Sequence, residues 1–393
     1  MDEQQDHESL GIVGWDAFYF FVNDLERSRS FYTAKMAVPE VARLDQRRAA
    51  ESAEDASLFA LGKAQVVCVG PCNAESRAGR FLARHPDGVA ILGFRVRAIE
   101  ETRRILAARD ATFVTAVISE PDHQGRPYRY FDIATPLADV RFRFVERLSG
   151  ALPPGFAAQA DPGAANPFGF QTIDHVTSNL LTLEPFVTWL RDVLGFSEYW
   201  RVRFHSSDVR PGNGGSGLAS IVMWDAESGV KLANNEPLAP HFEASQIFTF
   251  VEANRGAGVQ HIAFHVPAII PAVEGLREGG IPFLETPASY YDMLPGRFVQ
   301  RRVTNFVEKF DIVRRLGILV DGEDDRYLLQ IFMLEGGLLY DDANAGPFFY
   351  EVIQRRGARG FGEGNFRALF DAIERDQVAR GLVQQQWAAG AGS

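Results

Sequence analysis

The chain has 393 residues, 46% of them apolar and 23% charged, with 40 Lys and Arg against 51 Asp and Glu for a formal charge of −11. That is the composition of a globular protein of two or three units, and it excludes disorder, collagen and coiled coil. The acidic balance argues against a binder of nucleic-acid backbone, two cysteines (Cys68 and Cys72) exclude a disulfide scaffold or cysteine-rich zinc site, and no apolar run approaches the roughly 18 residues of a membrane helix.

The first residues, Met1-Asp2-Glu3-Gln4-Gln5-Asp6-His7-Glu8, have neither the basic nor the apolar region of a signal peptide, so a cytoplasmic protein is expected. An apolar strand at Trp15-Asp16-Ala17-Phe18 leads through Leu25-Glu26 into a helical stretch containing Phe31-Tyr32. Gly88-Val89-Ala90-Ile91-Leu92-Gly93-Phe94-Arg95-Val96 forms a second strand, followed by Ala98-Ile99, an amphipathic helix and a strand at 111–114. A β-rich stretch ends at Arg143-Phe144-Val145, and a run rich in Pro, Gly and Ala follows from Ala151-Leu152-Pro153-Pro154-Gly155 to Asp161-Pro162-Gly163.

The pattern then repeats. Ile173-Asp174-His175-Val176 lies over Trp15-Asp16-Ala17-Phe18 without a gap as far as Leu183-Glu184, and the following helix carries Trp189-Leu190. Gly212-Asn213-Gly214-Gly215 marks a turn between strands. Gly258-Val259-Gln260-His261-Ile262-Ala263-Phe264-His265-Val266 lies over the second strand, with Ala268-Ile269, a helix and a strand at 281–284 behind it. Tyr350-Glu351-Val352 lies over Arg143-Phe144-Val145 in the loosest of the matches. Phe366, Leu369, Phe370 and Ile373 then give one apolar face to a helix over 364–381 that the first half lacks. An α+β chain is expected: a unit over 1–155, a linker over 156–170, a second unit over 171–383 with open curved sheets, and a frayed tail over 384–393.

The repeat is an internal control. Where the first half has Ala17, Ile91 and Phe144, the second has His175, His261 and Glu351. Buried ionisable groups are costly unless paired or bound to a metal. Two histidines and one carboxylate form the facial triad that holds non-haem Fe(II) with open positions. His265, four residues past His261, is assigned to the rim, and His7, His85, His123, His205 and His241 stand in polar, loop-like contexts. The 31 Phe, 10 Tyr and 5 Trp suit both a large core and a pocket for a flat apolar ligand.

The second half carries a set of motifs in order: Ile173-Asp174-His175-Val176, Asn235-Glu236-Pro237, Ser245-Gln246-Ile247, Gly256-Ala257-Gly258-Val259-Gln260-His261-Ile262-Ala263, Tyr290-Tyr291, Tyr327-Leu328-Leu329-Gln330-Ile331-Phe332, Glu351-Val352-Ile353-Gln354-Arg355 and Gly360-Phe361-Gly362-Glu363-Gly364-Asn365-Phe366. From about 171 to 381 the chain resembles the 4-hydroxyphenylpyruvate dioxygenases of the vicinal-oxygen-chelate superfamily. The resemblance implies two tandem halves of βαβββ modules forming open curved barrels, a metal-free first half, and a C-terminal lid helix. It implies Fe(II) held by His175, His261 and Glu351, polar substrate-pocket positions at Ser220, Asn235, Gln246, Gln260 and Gln330, and further pocket residues at Phe332, Phe349, Phe361, Asn365 and Phe366. It implies 4-hydroxyphenylpyruvate and O2 as substrates, homogentisate and CO2 as products in tyrosine catabolism, and a homo-oligomer (dimer or tetramer). No nucleic-acid or membrane partner is expected.

Four alternatives stay open at this point, one of them a relative acting on another aryl 2-oxo acid. A 4-hydroxymandelate synthase uses the same substrate and ligands, and Phe349-Tyr350-Glu351 and Gly357-Ala358-Arg359-Gly360-Phe361 resemble that enzyme. Ala233-Asn234 departs from both patterns. A ligand-binding member without turnover would share the fold, and an extradiol ring-cleaving dioxygenase would share fold and triad.

Overall fold

A computed structural model of the protein describes residues 8–163, 166–205, 217–361 and 365. The first half contributes β1 (Ile12–Phe21), β2 (Glu40–Leu44), β3 (Glu54–Leu61), β4 (Ala64–Pro71), β5 (Gly88–Val96), β6 (Ile118–Pro121), β7 (Pro127–Ala134), β8 (Arg141–Arg147) and β9 (Phe156–Ala158). The second contributes β10 (Thr172–Asn179), β11 (Ser197–His205), β12 (Gly217–Trp224), β13 (Lys231–Pro237), β14 (Gly258–His265), β15 (Leu319–Glu323), β16 (Arg326–Phe332) and β17 (Phe349–Arg356). Each half makes its own curled sheet, in the orders β6-β7-β8-β5-β1-β4-β3-β2-β9 and β11-β12-β13-β10-β14-β17-β16-β15. The first three residues of the expected linker pair, as β9, with β2 of the first sheet.

The central strands β5 and β14 are buried on both faces along almost their whole length, and β5 reads as a nearly continuous apolar run. In β1, Phe18 belongs to a core that runs through both halves, whereas Tyr19 and Phe21 belong to a separate cluster inside the first sheet. The shared core is aromatic. Phe264 packs against Phe18 at 6.3 Å, Phe170 at 5.6 Å and Tyr350 at 5.2 Å between ring centroids. The buried hydroxyls of Tyr32 and Tyr350 hydrogen-bond across the same interface. His85 also spans it: Nδ1 lies 2.8 Å from the Asn254 carbonyl and Nε2 lies 2.8 Å from Asp139. It stands in the loop expected for it, before β5, but is buried there as a structural bridge. His205, also expected in a loop, ends β11.

The inner strands obey the repeat. β1 and β5 are antiparallel, as are β10 and β14, while β5 and β8, and β14 and β17, run parallel. Register corrects the loosest match by one residue. Gly93 faces Arg143 as Ala263 faces Glu351, so the counterpart of Glu351 is Arg143 and not Phe144. Phe144 instead stacks on Phe94 and Phe131 in the shared core. A second correction concerns 111–114 and 281–284. Neither is a strand; each touches its neighbour through one isolated bridge, Phe113 to Ile133 and Phe283 to Met333. Pro282 has no N–H with which to extend the second ladder. The Gly212-Asn213-Gly214-Gly215 turn, the apolar helix face of Phe366, Leu369, Phe370 and Ile373, and the tail lie outside the described residues.

Candidate metal centre

His175, His261 and Glu351 stand on β10, β14 and β17, the adjacent central strands of the second sheet. His175 and Glu351 flank Ala263 in register, and His261 is two residues earlier on the same face. All three are buried, and one ligand atom from each lies within 4.8 Å of the others. His175 Nε2 is 3.3 Å and His261 Nε2 is 3.4 Å from Glu351 Oε2. Glu351 Oε1 is buried without a hydrogen-bond partner. Among the described residues no other group of three such side chains converges in this way.

Two β-bulges build the site. Between Thr177 and Ser178 the partner strand skips from His261 to Val259, so Gln260 is an extra residue. It therefore shares the inner face with His261, and its Oε1 lies 3.1 Å from His261 Nδ1. Between Ile173 and His175 the extra residue is Asp174, whose Oδ1 lies 2.9 Å from His175 Nδ1. Asp174 is in turn gripped by the Arg355 guanidinium at 2.6 and 2.7 Å. Arg355 also donates to the Gly360 carbonyl at 2.7 Å, which fixes the approach of Phe361. Each ring thus has an outer hydrogen bond that orients its inner nitrogen, the usual support of a metal-bound histidine.

The electrostatics are those of a tight cluster. Burial pushes the His175 pKa down, but Glu351 and Asp174 outweigh it and hold the value above that of ordinary histidine. For His261 burial prevails over Glu351, and the pKa is lowered. Burial raises Glu351, yet the two imidazoles win and keep it below the usual carboxylate value. Asp174 is driven well below its usual range: burial opposes this, and Arg355 overcomes it. One carboxylate facing two imidazole nitrogens is a donor set suited to a divalent metal with positions left open.

Residues 172–294 match the family described as the Glyoxalase/Bleomycin resistance protein/Dioxygenase superfamily. A 4-hydroxyphenylpyruvate dioxygenase of Dictyostelium discoideum is 36% identical over 309 residues, covering 76% of this chain and 80% of its own. One of Caenorhabditis briggsae is 32% identical over 385 residues, covering 94% and 93%. The chain belongs to the 4-hydroxyphenylpyruvate dioxygenase family. The fold is shared with a solved mutant of 4-hydroxymandelate synthase from Streptomyces coelicolor, at a TM-score of 0.77 and 23% identity over 93% of this chain and 99% of that one.

Around the triad of this dioxygenase the walls are aromatic. Phe349 stacks on the His261 ring at 4.9 Å, Phe332 lies 6.0 Å from it, and Phe361 lies 4.8 Å from the His175 ring. Alternation along β12, β13 and β16 puts Ser220, Asn235 and Gln330 on the inner face, in register with Asn235, Asn179 and Ile353 respectively. Asn235 Nδ2 donates to Asn179 Oδ1 at 3.0 Å. Ser220 Oγ, Asn235 Oδ1 and Gln246 Oε1 are buried with no partner. Buried polar atoms in native proteins are normally satisfied, so the orphans on the inner face, Ser220 Oγ and Asn235 Oδ1, point to a polar ligand. Asn234 faces the other way, with Nδ2 donating to the Ile221 and Leu232 carbonyls. Of the departing pair only Ala233 shares the pocket side, where it packs with Val222 and Phe361.

Asn365 is used differently from the other expected pocket residues. Its side-chain amide lies 2.6 Å from the Tyr290 hydroxyl, which accepts from Val320 N at 2.8 Å. It ties the end of the described chain to β15, the sheet's edge. Phe366 lies outside the described residues. His265 is half-buried, with Nδ1 3.1 Å from Gln171 Oε1. Asp174 and Arg355 were not singled out in the sequence. Their signal lay in the repeat: Asp16 and Arg147 hold the same places in the first half and pair at 2.6 Å.

Proposed function

We propose that this protein converts 4-hydroxyphenylpyruvate and O2 to homogentisate and CO2, with Fe(II) held by His175, His261 and Glu351. The observation that carries the proposal is the buried convergence of two imidazoles and one carboxylate in a chain of this dioxygenase family. Bound there, Fe(II) supplies Lewis acidity and the electrons that activate O2 beside the 2-oxo acid.

The chain's own residues supply binding, orientation and dryness. Glu351 neutralises only one charge of a divalent ion, so the site stays attractive to an anionic 2-oxo acid without a free arginine. Arg355 is already occupied by Asp174. Asn235 Oδ1 and Gln246 Oε1 can accept from the substrate's phenol, and Ser220 can donate to its polar atoms. Phe332, Phe349 and Phe361 hold the ring flat and exclude water. The balance closes: the bond to the carboxylate breaks and releases CO2, one oxygen atom enters the new carboxylate, and the other enters the ring as the side chain migrates. The proposal includes units over 1–155 and 171–383, a homo-oligomeric state and a cytoplasmic setting; among the described residues no helix is long and apolar enough to cross a membrane.

The test is to mix protein, Fe(II) and 4-hydroxyphenylpyruvate anaerobically, admit O2 and separate the products by chromatography. Homogentisate with equimolar CO2 is expected. Its isomer 4-hydroxymandelate would overturn the product assignment, and no CO2 with iron bound would overturn the substrate.

A further inference from the structure

The first half has lost the metal ligands, yet its cleft has not been filled with apolar side chains alone. Beside Ile91, the counterpart of His261, is a cavity of about 250 Å³. It is lined by apolar Phe21, Phe81 and Ile91 and by Arg77, Arg80, Arg84 and Arg141, with a single acid, Asp139. Register explains one replacement. Arg141 faces Ile91 as Phe349 faces His261, so a guanidinium stands where the second half has the ring that covers its histidine.

Four guanidinium groups around one small cavity repel one another. Their protein partners are incomplete. Arg84 is paired with Asp139 at 3.0 Å, and Arg77 with Glu54 at 3.2 Å, while the Arg77 guanidinium also lies over the Phe21 ring, 5.1 Å from its centroid. Arg80 donates to the Glu75 carbonyl. Arg77 Nε is buried with no partner, and the Arg141 side chain makes no hydrogen bond or ion pair among the described residues. Burial, reinforced by Arg77 and Arg143, lowers the Arg141 pKa although Asp132 and Asp139 oppose it. The neighbouring Arg143 is not part of the unmet demand, since Asp132 holds it at 2.6 and 2.9 Å.

We propose that this first-half cleft binds a small organic carboxylate with an aromatic body, the carboxylate held by Arg141 and Arg77 and the ring laid on Phe21, Phe81 and Ile91. Arginine presents a planar fork that matches a carboxylate, and the apolar lining favours an aryl acid over a bare inorganic anion. This site is separate from the metal centre and stands whether or not the proposed reaction is correct.

The test uses phenylacetate, which lacks the 2-oxo group and so cannot chelate a metal through two oxygens. Its binding to the full-length, iron-loaded protein is measured by calorimetry, with inorganic phosphate as the comparison anion. Arg141→Gln is expected to weaken binding at least tenfold and Arg80→Gln at least threefold, while His261→Ala, tested without iron, leaves it unchanged. An unchanged far-ultraviolet circular dichroism melt shows that Arg141→Gln is folded, and Arg80→Gln, at the surface, keeps the test valid if it is not. Absence of binding to the wild-type protein, or indifference to both arginine substitutions, would overturn the proposal. Loss of binding in His261→Ala would place the acid at the metal centre instead. Phosphate binding as tightly as phenylacetate would overturn the aryl class.

Discussion

Glu351 is the only acidic member of the triad, and a glutamine in its place keeps the shape while removing the charge. Glu351→Gln should lower iron content from about one per chain to near zero, because the ligand must be ionised to bind the metal; metal analysis after desalting would check it, and wild-type content would remove Glu351 from the centre. Asp174 acts through His175. Asp174→Asn should weaken metal binding by about 10–100-fold, the usual cost of losing an outer partner of a ligand. A competitive chelator titration would measure it, and an unchanged affinity would reduce the Asp174–Arg355 pair to scaffolding. That second outcome has a physical basis, because Asp16 and Arg147 form the same pair in the half that has no ligands. The three ligands were legible in the sequence because a repeat compares like with like. Asp174 and Arg355 were not, since a charged residue present in both halves gives no contrast.

At the scale of elements, the site depends on a departure from strand alternation. Gln260 and His261 are neighbours, and a regular strand would send one of them to the far face. The bulge at Gln260 keeps both inside. Deleting Gln260 restores regular pairing, with His261 still opposite Thr177 but without its outer amide partner, and should weaken iron binding by about 10–100-fold, whereas deleting Ala90, the extra residue at the matching bulge of β5, should leave iron affinity unchanged. A chelator titration alongside far-ultraviolet circular dichroism would check both, and unchanged iron affinity without Gln260 would show that its amide does not support the histidine. Apolar run and repeat made the strands legible. Register was not, which is why Phe144 was matched to Glu351 in place of Arg143: a one-residue shift costs nothing in composition, and only the pairing of Gly93 with Arg143 reveals it. The segments at 111–114 and 281–284 read as strands for a similar reason, since local composition does not count ladder bonds.

For the whole molecule, the two sheets share a core, so the halves are not independent folding units. Phe264 is fully buried between Phe18, Phe170 and Tyr350. Phe264→Ala should cost about 3–5 kcal/mol and should shift the unfolding of both halves together. Tryptophan fluorescence and circular dichroism followed in denaturant would then give coincident transitions at a lower midpoint; a first-half transition that stays in place would contradict a shared core. The two halves were visible in the sequence, but their packing was not, because strands buried on both faces look alike from either side. The central claim is that one half of a duplicated fold holds the metal while the other has replaced the ligands by Ala17, Ile91 and Arg143. The most direct test is anomalous diffraction at the iron edge from crystals grown with Fe(II). A single peak per chain between His175, His261 and Glu351 is predicted; a peak elsewhere, a second one in the first half, or none at all would contradict the account.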